Sequence, residues 1–308
     1  ENVGYQLTQI PGVDALVTGH QHRELAEVVN GVPVTQPGYR GANVGQITLT
    51  LESTSEGWQV VQGDAQLLKT ADAKPNVKVT KAVATTNDAV ETWLDSPLGH
   101  VSGDMSLHSA WQARLHESAY IEFINKVQMA ATDTDISGTA LFTNDGRGFN
   151  QTITMRDVVT NYVYPNTLAV LKLSGTDLKA ALEQNAEYFS LDDQGQLKVT
   201  PRFEHPKPQH YNYDMYQGIN YVLDISRPVG QRVVNLTYHG QPIAPNGSYE
   251  VVANQYRAGG GGNFAMFGQS KVIRENQKDM TELIADYLQA HPLIEATVDN
   301  NFQVVTKM

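Results

Sequence analysis

The sequence has no cysteine among its 308 residues, which excludes a disulfide framework, a thiol nucleophile and a thiolate metal site. That absence leaves the compartment open, since cysteine-free chains occur on both sides of a membrane. No apolar run approaches the roughly 20 residues that a membrane-spanning helix needs. Basic residues are few. With 22 Lys and Arg against 33 Asp and Glu the net charge is −11, so neither a nucleic-acid polymer nor an anionic membrane offers an electrostatic advantage as partner. Low-complexity sequence is confined to Gly259–Gly262, and there is no internal repeat. What is present is a globular balance, 41% apolar against 18% charged, and enough length for two domains with cores of their own.

The chain begins at Glu1 without Met, and Glu1–Gln9 reads as an amphipathic helix leading into a strand. That opening suits the middle of a domain, so the chain reads as a fragment or processed product whose export signal would lie upstream. Val13–Thr18, Val32–Thr35, Gln46–Glu52 and Gly57–Leu68 predict strands, separated by turn signals at Pro37-Gly38 and Glu56-Gly57. A linker helix is expected within Ala73–Asp95, closed by Ser96-Pro97. From Leu98 onward helix and strand signals alternate, which predicts a mixed α/β (α+β) domain. Helices are expected over Ser118–Ala131, Thr154–Val163 (capped by Thr154), Thr176–Phe189 and Met280–Gln289. Strands are expected over Thr139–Thr143, Leu168–Ser174, Ile219–Ile225, Val233–Tyr238 and Tyr249–Asn254.

Four segments carry residue types suited to chemistry. Gly19-His20-Gln21-His22 follows an apolar strand, where open sheets place ligands, and neutral imidazoles suit Zn, Mn, Fe, Ni or Co; the plainer reading is two surface histidines. Asn144-Asp145-Gly146-Arg147 offers a close-approaching backbone and a guanidinium fork for an anion, or is an ordinary turn. Tyr164 is held extended by Pro165, and Tyr256 stands at a strand end before Gly259–Gly262. Two such rings could hold a planar group between them, or both could be core tyrosines in a chain that has 14. The aromatic run His210–Tyr216 either lines the same cleft or packs a loop, and packing is favoured.

Taken in order, these motifs resemble the 5′-nucleotidase superfamily, in particular its bacterial 2′,3′-cyclic-nucleotide 2′-phosphodiesterase/3′-nucleotidase branch. Gly-His-Gln-His is similar to the last metal motif of a metallophosphoesterase domain, and the resemblance implies that His20 and His22 each bind one of two divalent metal ions in the intact enzyme. Phe123–Gln128, Asn144–Arg147, Tyr164–Thr167 and Tyr256–Phe264 follow the order of the substrate-binding domain. There, two aromatic residues sandwich the nucleobase, at positions matching Tyr164 and Tyr256. Substrate contacts are expected at Asn125, Asn144, Gly146, Arg147, Asn166, Arg257, Gly260 and Gly261.

The implied organisation is a C-terminal piece of a metallophosphoesterase β-sandwich domain over residues 1–70, a linker helix over 71–96, and a 5′-nucleotidase C-terminal domain over 97–308. The family's catalytic Asn-His-[Asp/Glu] motif is missing, so the catalytic residues would lie upstream and this chain alone should catalyse little. The glycine loop lacks the Asp of the 5′-nucleotidase branch, and Tyr replaces Phe at both stacking positions. These departures favour the cyclic-phosphodiesterase branch over a 5′-nucleotidase or UDP-sugar hydrolase. A non-catalytic nucleoside-binding module is the remaining alternative. The resemblance also implies a nucleotide or nucleoside partner and an extracellular, cell-wall or periplasmic location.

Overall fold

A computed structural model describes residues 3–307, so the first two residues of the expected Glu1–Gln9 helix lie outside the described residues. The chain divides into two compact units, residues 1–87 and 88–308, and the division falls inside the helix Val77–Leu94.

The first unit is built from hairpins. Glu24–Val29 pairs antiparallel with Val32–Pro37 across Asn30-Gly31, a two-residue turn with positive φ at both positions (52° and 83°). Asn and Gly tolerate that conformation best, and its twist matches the strands it joins. The short strand Leu16–Val17 pairs parallel with the far edge of Val32–Pro37. A second, longer hairpin joins Asn43–Thr54 to Gly57–Lys69. Among the described residues of this unit, Val32, Pro33 and Val34 are the only buried apolar side chains, while Trp58 and Val17 stay more than 70% exposed. Backbone pairing, more than a core, holds this unit together.

The second unit has one contiguous core. Its central sheet has the order Asp214–Gln217, Ile136–Ala140, Ser248–Asn254, Leu168–Ser174, Lys271–Asn276, and every neighbouring pair is antiparallel except Ile136–Ala140 with Ser248–Asn254. The strand Leu168–Ser174 and the helices Ala119–Thr132, Met155–Asn161 and Met280–Ala290 fall close to their expected places. Ser118, Thr154 and Asp279 each supply the side-chain oxygen that caps the helix start. The expected strand Thr139–Thr143 is displaced to Ile136–Ala140. Buried Arg114 explains where it stops: its Nη2 takes the carbonyls of Leu141 and Thr143, which are then not offered to a neighbouring strand. Lys271–Asn276 carries no apolar alternation, because it is a mostly exposed edge strand.

This topology gathers one end of the sheet. Leu168 lies opposite Asn254, so Tyr164 (just before one strand) and Tyr256 (just after its antiparallel neighbour) emerge together. Ala140 lies opposite Asp214, and its strand runs parallel to Ser248–Asn254, so Phe142 and Tyr211 come to the same end.

Candidate nucleobase site

At that end Tyr164 and Tyr256 are 40% and 43% exposed, in a sheet whose other aromatic side chains are largely buried. Phe142 backs Tyr164 edge-on at 5.1 Å. Tyr256 donates its hydroxyl proton to Asn212 Oδ1 at 3.1 Å, and its ring rests on the glycine loop. A Cβ on Gly261 would lie 2.5 Å from the Tyr256 carbonyl oxygen and 2.6 Å from its ring, so no other residue fits there. Gly262 has φ 72°, and a Cβ there would collide with Asn212 Oδ1 and lie 2.7 Å from Arg257 Nη1. Burial raises the pKa of both tyrosines, and the neighbouring tyrosines push in the same direction. Both rings therefore stay neutral and usable for stacking across physiological pH.

Arg257, expected as a substrate contact, is placed as the buried support of this arrangement. It is 1% exposed and forks onto Asp214, with Nε–Oδ2 at 2.5 Å and Nη2–Oδ1 at 3.2 Å. Nη1 donates to the Gly261 carbonyl, Nη2 to the Tyr211 carbonyl at 3.2 Å, and the guanidinium lies 3.7 Å from the Phe264 ring centre. Burial works against its charge, yet Asp214 outweighs this and holds the pKa above the ordinary arginine value. One buried cation thus ties the short helix Gln255–Ala258 that carries Tyr256, the glycine loop and the Tyr211 segment. The glycines, Gly260 and Gly261 included, were expected to admit a ligand; the close approach at Gly261 is instead to the Tyr256 ring.

Two further expected contacts lie in the interior. Asn125 is 1% exposed and donates its amide to the Met215 carbonyl at 3.2 Å, so it ties helix to sheet. Asn166 is 7% exposed, and its amide donates to the Tyr162 hydroxyl at 3.3 Å. Asn144 and Arg147 are exposed, with Gly146 partly so. Their loop is built from behind: Arg114 Nη1 donates to Asn144 Oδ1 at 2.8 Å, and Asn161 Oδ1 accepts the Arg147 and Gly148 N–H groups. The loop starts two residues beyond Phe142, the ring that backs Tyr164. Most of His210–Tyr216 packs, as favoured, but Tyr211 meets the candidate rings. Arg114 went unmarked because a single residue without a spacing pattern carries no signal, while Tyr211 and Asp214 lie in the run His210–Tyr216, for which packing was favoured.

In the first unit, His20 and His22 are exposed and adopt left-handed backbone, φ 72° and 58°, a conformation that costs energy for non-glycine residues. Buried Gln36 holds the loop, donating to Thr18 Oγ1 and Gln21 Oε1 and accepting from the Arg23 N–H. His22 stacks on Tyr39 at 4.9 Å. The donor chemistry fits a borderline divalent cation, but no other His or carboxylate among the described residues groups with these two as a metal-binding set. They would be part of a set completed from outside this chain.

The one described carboxyl cluster is elsewhere: Glu117, Glu122 and Asp299, with oxygens within 4.8 Å of one another. Glu122 accepts from Lys126, Thr297 and the Asp299 N–H, while Glu117 Oε1 is buried without a hydrogen-bond partner. Burial, with Asp299 and Glu122 beside it, pushes the Glu117 carboxyl up to about 8. Folded Glu117 therefore keeps a proton that the unfolded chain loses above pH 4.5, so stability falls as pH rises from about 4.5 to 8. Urea unfolding at pH 5 and pH 8 should show Glu117→Gln flattening this decline by about 1–2 kcal/mol, since partial exposure discounts the full linkage. An unchanged slope would place the proton elsewhere.

A concavity of about 660 Å³ beside the helix Gly175–Ala186 is away from the tyrosines. Its Glu183 is already spent on the Arg232 and Val233 N–H groups. The aromatic cluster has the better chemistry.

Residues 97–269 match the family described as 5′-nucleotidase, C-terminal domain. The chain belongs to that family. It is 27% identical to the 2′,3′-cyclic-nucleotide 2′-phosphodiesterase/3′-nucleotidase of Yersinia enterocolitica and 28% to that of Salmonella typhimurium, over 99% of this chain and 55% of each relative. A crystal structure of a Staphylococcus aureus protein, described as a 5′-nucleotidase and solved with alpha-ketoglutarate, matches 99% of this chain and 59% of its own. That match has a TM-score of 0.83 at 34% identity. The chain thus spans about half the length of the curated relatives it matches, and its mixed α/β fold is that of the family. No described helix is long and apolar enough to cross a membrane.

Proposed function

We propose that the whole protein is an exported, metal-dependent nucleotide phosphoesterase of the 2′,3′-cyclic-nucleotide 2′-phosphodiesterase/3′-nucleotidase type. In this reading residues 97–308 form its base-recognition domain, residues 1–70 contribute to the metallophosphoesterase domain, and 71–96 link them. The observation that carries it is the pair of half-exposed tyrosines brought to one end of the sheet and held by the Arg257 support. A nucleobase offers two π-faces, and stacking on each is worth ~1–3 kcal/mol with little regard to sequence. Asn144 and Arg147, exposed on the loop that follows Phe142, are proposed to meet the sugar-phosphate end, where a guanidinium can pair with a phosphate.

His20 and His22 would hold divalent cations together with ligands outside this chain. When bound, such cations polarise the phosphate and lower the pKa of a coordinated water. The chain's own part is to hold two neutral imidazoles in place and to fix the base.

The likeness to the Staphylococcus aureus protein supports a second reading, a 5′-nucleotidase. Assays on the full-length protein separate the two. Faster release of phosphate from 3′-nucleotides and 2′,3′-cyclic nucleotides than from 5′-nucleotides is expected; the reverse order would select the second reading.

A further inference from the structure

We infer that Tyr211 is the floor of the proposed base slot and makes it favour purines over pyrimidines; this rests on the base-clamp reading above. The Tyr211 ring meets Tyr164 edge-on at 6.2 Å and 78°, and Tyr256 at 6.0 Å and 76°. It is therefore nearly perpendicular to both. Two rings able to sandwich a base stand about 7 Å apart, at ~3.5 Å contact on each face. A third ring about 6 Å from each of two such walls sits about 5 Å from the midpoint of the slot, and in the proposed arrangement it turns its face to the base.

Tyr211 is only partly buried, while Asn212, Tyr213, Asp214, Met215 and Tyr216 after it are all buried. Its position is nonetheless fixed, because its carbonyl accepts from Arg257 and the next residue, Asn212, accepts the Tyr256 hydroxyl proton. Floor and wall therefore share one support. The edge of a base carries partial positive charge, and a tyrosine face is negative, so an edge that reaches the floor gains an edge-to-face contact. A two-ring base extends further into the slot than a one-ring base. Purines reach the floor; pyrimidines are held by the walls alone.

The test uses the 308-residue chain and two probes, adenosine and uridine, titrated by calorimetry or NMR. Tyr211→Ala and Tyr211→Leu should weaken adenosine roughly 3–10-fold and leave uridine within about twofold, whereas Tyr211→Phe should keep both. Circular dichroism checks that the variants fold. Equal loss of both nucleosides would reduce Tyr211 to a structural support. Tighter binding of both would mean that its ring fills the slot. Retention of adenosine by Tyr211→Leu would show that bulk, not the π-face, matters. Each of these overturns the inference. Tyr164→Ala is the separate control: if it leaves both nucleosides unaffected, the clamp itself is wrong and the floor falls with it.

Discussion

Asp214→Ala is expected to lower the unfolding free energy of the C-terminal unit by about 3–5 kcal/mol, among the largest effects available to a single substitution here. Asp214 and Arg257 are 3% and 1% exposed, so removing the carboxylate leaves a guanidinium desolvated and unpaired. Phe264, the Gly261 carbonyl and the Tyr211 carbonyl remain around it, but none carries a compensating charge. The conservative Asp214→Asn should lose less, since one oxygen can still accept from the fork. Replacing both partners, Asp214→Leu with Arg257→Met, should recover much of the loss, because the expense lies in isolating one charge rather than in lacking a pair. Urea unfolding followed by circular dichroism measures all of these. A loss below about 1 kcal/mol for Asp214→Ala would show that water reaches the pair.

Tyr164→Ala or Tyr256→Ala in the full-length protein should raise KM for nucleotides by roughly one to two orders of magnitude, from ~1–3 kcal/mol of lost stacking. A base-free ester such as nitrophenyl phosphate should change much less, because it makes no use of the clamp. The two substitutions differ in their side effects. Tyr164 is backed by Phe142 and half-exposed, so its loss should leave folding nearly intact. Tyr256 covers Gly261 and bonds Asn212, so its loss also frees the glycine loop. Tyr256→Phe separates these roles, keeping the stacking face while losing the hydroxyl. Equal losses on both substrates would mean that the tyrosines act on the phosphate end or on folding.

Local signals made much of this legible from sequence. Ser118, Thr154 and Asp279 cap helices as their residue types dictate, and the apolar run Leu168–Ser174 forms a strand at those bounds. The tyrosines stood out because Pro165 and the glycine run mark their positions. What escaped was long-range. Arg114 displaces a strand end by taking the carbonyls of Leu141 and Thr143, and no periodicity announces that. Arg257 reads as a ligand-facing cation beside the glycines until its partner Asp214, distant in sequence, is placed against it. Asn125 and Asn166 likewise carry polar groups that serve the interior. Motif order identified the neighbourhood; pairing across the sheet decided which of its residues face outward.

The most direct measurement is an NMR titration of the chain, with its tyrosine rings labelled, by adenosine and by ribose 5-phosphate. Adenosine should shift the Tyr164 and Tyr256 ring signals together, in a saturable way and with one affinity, because both rings face the same base. Ribose 5-phosphate should leave them in place. Adenosine that binds without moving either ring, or that moves one and not the other, would contradict the clamp.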